Sequence, residues 1–160
     1  VSNQNPMMME LLKTAVKQPL KVNQLQLSAA FTPSFEAGFH VNMEGAKAAV
    51  RDGSVFEYCR LTDTVIQAWS VLQHGYFKGN FVGKEEFAAL NHVLNDLAKK
   101  YQVTPTAIAL AWVLRYPGKM QAVIGTTKPQ HVLEAGKATK VNLTRKEWYQ
   151  IYLAAGNDLP

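Results

Sequence analysis

Apolar and polar residues recur along this chain with two different periods, and each change of period marks a boundary between elements. From Met7 to Val16, the residues Met8, Leu11, Leu12 and Ala15 repeat every three or four positions, which predicts an amphipathic helix. Asn5 is suited to cap that helix, Pro6 to fill its first turn and Pro19 to end it. Leu20 to Leu27 reads as a strand, with Asn23, Gln24 and Gln26 set among apolar residues. A short helix is predicted over Val55 to Leu61, then a second strand from Thr64 to Leu72. Lys84 to Tyr101 is amphipathic, with Phe87, Leu90, Leu94, Leu97 and Tyr101 on one face. Thr104-Pro105 is a cap followed by a first-turn proline, and Ala107 to Arg115 is apolar nearly all round, so that helix should be buried. Pro117-Gly118 stops it ahead of a third strand at 121–125. A helix follows from Pro129 to about Ala138, and a last one, capped by Thr144, runs from Arg145 to Ala155 and ends at Gly156.

Strands alternating with helices are the signature of an α/β fold with a parallel sheet, expected here as a single domain over residues 1–160. Residues 28–55 show no sustained period and carry Pro33, Gly38, Gly45 and Gly53. So long an excursion in a compact domain tends to be functional. Phe31, Phe35, Phe39 and His40 would suit a substrate-pocket wall or a packed surface loop.

Composition narrows the classes. With 48% hydrophobic and 18% charged residues among 160, the chain is ordinary globular material with enough length for one core. No apolar run approaches the roughly 18 residues a bilayer span needs, so no membrane partner is expected. The opening Val1-Ser2-Asn3-Gln4-Asn5-Pro6 has neither the basic region nor the apolar core of a signal peptide. It also lacks an initiator methionine, and a processed, truncated or incomplete chain is expected. The single cysteine, Cys59, has no internal partner, which fits a reducing cytoplasm and the role of a small buried hydrophobe. The net charge of +5 comes from scattered lysines and arginines, whereas a nucleic-acid partner would want a concentrated basic face. The helix at 104–115 is too apolar for readout, and no nucleic acid is expected. Methionines 7–9 read as gap-filling core rather than soft-metal ligands, and no metal site is expected.

Four segments end a strand-like run with polar groups: Val1-Ser2-Asn3, Val22-Asn23-Gln24, Ala68-Trp69-Ser70 and Val123-Ile124-Gly125-Thr126-Thr127-Lys128. In parallel α/β folds, ligands gather at the carboxyl ends of strands. Primary amides such as Asn3 and Gln24 donate and accept together, which matches the carboxamide of a nicotinamide ring. Trp69 offers a flat face for such a ring. The hydroxyls of Thr126 and Thr127, the Lys128 ammonium and a helix start suit a phosphate ester. Each group alone is more often structural: a satisfied core amide, a packing tryptophan, a helix cap. The ordered set points to a cofactor platform.

The same segments, with Thr104-Pro105 through Ala111-Trp112 and Leu143-Thr144-Arg145-Lys146-Glu147-Trp148, resemble the second half of aldo-keto reductases over nearly the whole chain. The resemblance implies the C-terminal portion of a (β/α)8 barrel that binds NADPH across its C-terminal face and reduces small aldehydes or ketones. Carried over by residue, Ser2, Asn3 and Gln24 would hold the carboxamide and Trp69 would stack under the nicotinamide. Ser70, Val71 and Leu72, with the loop through Gln73 and Gly75, would lie along the pyrophosphate. Thr126, Thr127 and Lys128, after Gly125, would face the ribose 2′-phosphate, and Glu134 would approach the adenine. His131 stands where many members place an arginine against the 2′-phosphate, which leaves NAD open beside NADP. Ala135 stands where many have an asparagine, and the loop after Ser70 lacks the usual proline and run of glycines.

The family's catalytic tyrosine and its supporting aspartate, lysine and histidine precede the serine-asparagine motif. No catalytic residue is therefore expected in this chain, and alone it should be inactive. Tyr76, Tyr101 and His74 are not expected to fill that role. The alternative is a half-barrel that binds nucleotide or self-associates without turnover. Three or four parallel strands cannot close a barrel that takes about 250 residues.

Overall fold

Helices and strands alternate in the order the periodicity requires. The computed structural model of the chain describes residues 1–39, 54–75 and 78–159. Its elements are α1 (Pro6–Ala15), β1 (Val22–Gln26), α2 (Pro33–Phe39), α3 (Val55–Leu61), β2 (Val65–Trp69), α4 (Ala88–Tyr101), α5 (Pro105–Leu114), β3 (Met120–Ala122), α6 (Pro129–Gly136) and α7 (Arg145–Ala154). Three helices begin on the caps the sequence offers. Asn5 Oδ1 accepts from the Met8 N–H at 2.9 Å, and Thr104 Oγ1 accepts from the Ala107 N–H at 3.2 Å. Thr144 and Glu147 form a reciprocal capping box at the start of α7.

The three strands are parallel in the order β1-β2-β3. Ser2 adds a fourth parallel position beside β1 through the Asn3 N–H on the Gln24 carbonyl, 2.8 Å, and the Gln24 N–H on the Val1 carbonyl, 3.1 Å. Strand alternation then separates two faces. Asn23, Leu25, Ile66 and Ala68 are buried under the helices, while Gln24, Gln26, Gln67 and Trp69 are half-buried on the opposite face. α5 packs between α4, α6 and β3, so no side of it meets water along Ala107–Val113.

Two ties fix α7. Trp112 and Trp148 stack at 4.8 Å with planes 8° apart, and each indole N–H donates to the other residue's carbonyl at 3.0 Å. Glu147, also buried, accepts from Lys100 Nζ at 2.6 Å and from the Tyr101 hydroxyl at 2.8 Å, which joins α7 to α4. Burial alone would raise the Glu147 carboxyl. The bonds from Lys100, Thr144 and Tyr101 outweigh it and hold the group down at about 2.

Several boundaries differ from the sequence reading, and three of the differences have a visible cause. The stretch 28–55, read as irregular, contains α2, because Phe35 (2% exposed) inserts into a ring cluster with Phe56, Trp112 and Tyr116. Residues 40–53, with His40, Gly45 and Gly53, lie outside the described residues. β2 ends at Trp69 rather than Leu72, since Ser70 takes the left-handed φ of +53°. β3 spans Met120–Ala122 rather than 121–125. Ala122 registers with Ala68, so once β2 turns away at Ser70 the residues beyond Val123 have no strand among the described residues to pair with.

Candidate functional site

The two neighbouring strand exits turn by the same device. Asn3 and Ser70 both have φ of +53°, a conformation that costs a non-glycine residue on the order of 1–3 kcal/mol and is easiest for asparagine. The turns bring Trp69 to Asn3, whose Oδ1 accepts from the indole Nε1–H at 3.4 Å. That bond uses the Asn3 oxygen and leaves its amide nitrogen as a donor. The Ser2 hydroxyl donates to the Gln24 carbonyl at 3.3 Å. Ser2, Asn3, Gln24 and Trp69 are thus assembled by one set of parallel pairings.

Gln24 is tied sideways. Its Nε2 donates to Gln67 Oε1 at 2.9 Å, and Gln67 Nε2 donates to Gln121 Oε1 at 2.9 Å. The three residues are register partners across β1, β2 and β3. The row leaves Gln24 Oε1 as an acceptor, complementary to the donor at Asn3. A carboxamide, with one carbonyl and one amino group, fits such a donor set. Sequence periodicity could not find the row, since register between distant strands has no local signal. Gln26 on the same face carries a buried Nε2 with no partner among the described residues.

The segment after β2 is braced from within. The Gln73 N–H donates to the Ser70 carbonyl at 2.9 Å, the Ser70 hydroxyl to Gln73 Oε1 at 3.3 Å, and the Ser28 hydroxyl to the Gln73 carbonyl at 2.5 Å. Val71 is buried, so only its backbone is available to a ligand, while Leu72 is half-buried against the core. A Cβ on Gly75 would fall 2.9 Å from Lys78 Cδ, so the glycine lets the lysine stem cross the loop. Lys78 thereby joins the segment expected along the pyrophosphate, a cation the sequence reading did not single out. His74 is spent locally, its Nε2 lying 2.7 Å from the Lys78 carbonyl. Tyr76 lies outside the described residues.

At the third exit, Gly125 adopts φ +52°, a left-handed turn that a glycine makes without strain, and redirects the chain toward α6. Thr126 Oγ1 accepts from the Lys128 N–H at 3.3 Å and lies 3.3 Å from His131 Nδ1, which gathers three of the predicted residues. Thr127 and Lys128 are exposed. Glu134 accepts from Gln130 Nε2 at 3.3 Å and remains half-buried on α6.

No acidified phenol or thiol stands among the described groups with shifted values. The Tyr101, Tyr116 and Tyr152 hydroxyls are all pushed up by burial first, Tyr116 to about 12. Burial likewise raises the Cys59 thiol. Among the described residues no helix is long and apolar enough to cross a membrane, and no cluster of three or more metal-ligating side chains occurs.

Comparison with known proteins settles the lineage. Residues 1–154 match the sequence model of the Aldo/keto reductase family. The chain belongs to the aldo/keto reductase family. It is 31% identical to a 6-dehydroglucose reductase of Agrobacterium fabrum across 99% of the chain and 47% of that protein. It is 27% identical to the oxidoreductase YdhF of Escherichia coli, across 100% of the chain and 48% of that protein. This aldo/keto reductase chain therefore spans about half the length of the curated relatives it matches. Its fold resembles a thermostable aldo-keto reductase, Tm1743, solved with the inhibitor epalrestat, at a TM-score of 0.67 and 21% identity over 96% of this chain and 47% of that one. It also resembles a Bombyx mori aldo-keto reductase solved with NADP, at 0.65 and 16% identity over 96% and 43%.

Proposed function

We propose that this chain is the C-terminal portion of a (β/α)8 barrel and forms the cofactor side of an NADP(H)-dependent reductase of small aldehydes or ketones. The observation that carries the reading is the parallel assembly of Ser2, Asn3, Gln24 and Trp69 at the strand exits. Bound NADPH would supply the hydride. Asn3 Nδ2 would donate to the carboxamide oxygen and Gln24 Oε1 would accept from its amino group, with Trp69 as the stacking face. Ser70 to Gln73 and Gly75 would follow the pyrophosphate. Thr126, Thr127, Lys128 and His131 would meet the 2′-phosphate, Glu134 the adenine. NADPH is favoured over NADH by the exposed Lys128 ammonium. The proton donor of a carbonyl reduction is not assigned to this chain.

The test is a tryptophan-fluorescence titration with NADPH on the wild type and Trp69→Ala. Quenching that saturates in the wild type and disappears in the variant is the expected result. An unchanged response in Trp69→Ala would remove the stacking role. The chain alone should not oxidise NADPH with a small aldehyde, and turnover at ordinary enzyme rates would overturn the division of roles.

A second reading, self-association, is favoured by exposed Val123, Val132 and Leu133 beyond β3, whose outer edge pairs with no strand among the described residues. Sedimentation decides it. A concentration-independent monomer excludes self-association.

A further inference from the structure

Arg60, Arg115 and Arg145 come from three separate places along the chain and line one cavity of about 320 Å³. Arg60 is in the last turn of α3, Arg115 follows α5 and Arg145 opens α7. The first two lie just before β2 and β3, on the side where the strands begin. The candidate cofactor residues lie where the strands end.

The cavity is built rather than incidental in three respects. Its wall is aromatic: Tyr116 and Trp148, each 7% exposed, and Tyr149, over whose ring the Arg145 guanidinium sits at 5.7 Å. The arginines are held by their stems or one nitrogen. Arg60 Cγ passes 3.4 Å from the position of a Cβ on Gly118, and Arg115 Nε donates to the Leu143 carbonyl at 3.0 Å, so its terminal nitrogens stay available. Among the described residues no carboxylate forms an ion pair with any of the three, and Glu57 is the only acid in the lining.

Guanidiniums sharing one concavity repel each other, and a planar carboxylate relieves that repulsion while forming paired, charge-assisted hydrogen bonds. Aromatic walls add a preference for a flat ring, and the volume suits one or two fused rings. Burial, then the charge of Glu57, keeps the Tyr116 hydroxyl protonated and able to donate. We infer that the cavity between α3, α5 and α7 is a binding site for a small aromatic carboxylate, separate in position from the strand exits. The inference does not depend on the cofactor reading.

The experiment is calorimetric titration of the full chain with 2-naphthoate, and with 2-naphthamide as the neutral isostere. The acid should bind at one saturable site, at least about tenfold more tightly than the amide, and more weakly as salt is raised. Arg60→Gln and Arg145→Gln alter exposed side chains and should each weaken the acid several-fold to about tenfold. Absence of saturable binding, or equal binding of acid and amide by the wild type, overturns the inference without recourse to any variant. Loss of binding in Trp69→Ala, with Arg60→Gln and Arg145→Gln unaffected, would place the acid at the strand exits and overturn it equally.

Discussion

Gln24 and Gln67 are register partners whose side-chain amides are also hydrogen-bonded, Gln24 Nε2 to Gln67 Oε1 at 2.9 Å. Gln67 bonds onward to Gln121, so no one of the three amides can rotate by half a turn without setting like atoms against each other. Replacing Gln67 with leucine cuts both links and leaves Gln24 unanchored on a half-buried face. We expect a loss of about 1–2 kcal/mol by urea denaturation, and under about 1 kcal/mol for Gln121→Leu, because Gln121 is exposed.

Glu147 gives the fold a defined acid limb. Its carboxyl titrates at about 2 in the folded chain against an ordinary 4.5, so its stabilisation is complete above about 4.5 and is lost as pH falls through about 2. The Lys100 ammonium is raised above its ordinary 10.5, chiefly by the bond to Glu147. Its contribution is complete below 10.5 and is lost only as pH rises through the higher folded value. Glu147→Gln should cost about 2 kcal/mol near neutrality, with the gap from wild type narrowing toward pH 2 in denaturation curves.

The paired indoles should be strongly coupled. Trp148→Phe keeps a ring in the stack but leaves the buried Trp112 carbonyl without its donor, at a cost of about 2–3 kcal/mol. Trp112→Phe should cost less on this count, since the Trp148 carbonyl lies within α7, and the double variant should cost less than the sum of the two, as a double-mutant cycle of unfolding free energies will show.

If Lys128 meets the 2′-phosphate, Lys128→Gln should lower the preference for NADPH over NADH by about tenfold, the weight of one charge-assisted contact. His131→Arg should raise it. Parallel fluorescence titrations with the two nucleotides measure both.

What was legible in the sequence was local. Asn5, Thr104 and Thr144 announced three helix starts, and each side chain accepts the backbone N–H its cap requires. The burial of α5 followed from its all-round apolar surface. The polar strand-exit residues were readable as an ordered set, and the structure brings Asn3 to Trp69 and Thr126 to His131 and Lys128. What was not legible depended on distant partners. α2 exists because Phe35 finds rings from α3, α5 and α7, and no seven-residue window containing Gly38 predicts that. β3 is short because β2 turns at Ser70, and Lys78 reaches its loop because Gly75 has no side chain in the way.

The two indole–carbonyl bonds between Trp112 and Trp148 also bear on how the end of the chain moves. A terminal helix is ordinarily the first part of a domain to fray. Here α7 cannot lift without uncovering a carbonyl inside α5, the most deeply enclosed helix. Its amide protons should therefore exchange with solvent only when the core itself opens, so the end of the chain is as slow to yield its protons as the middle.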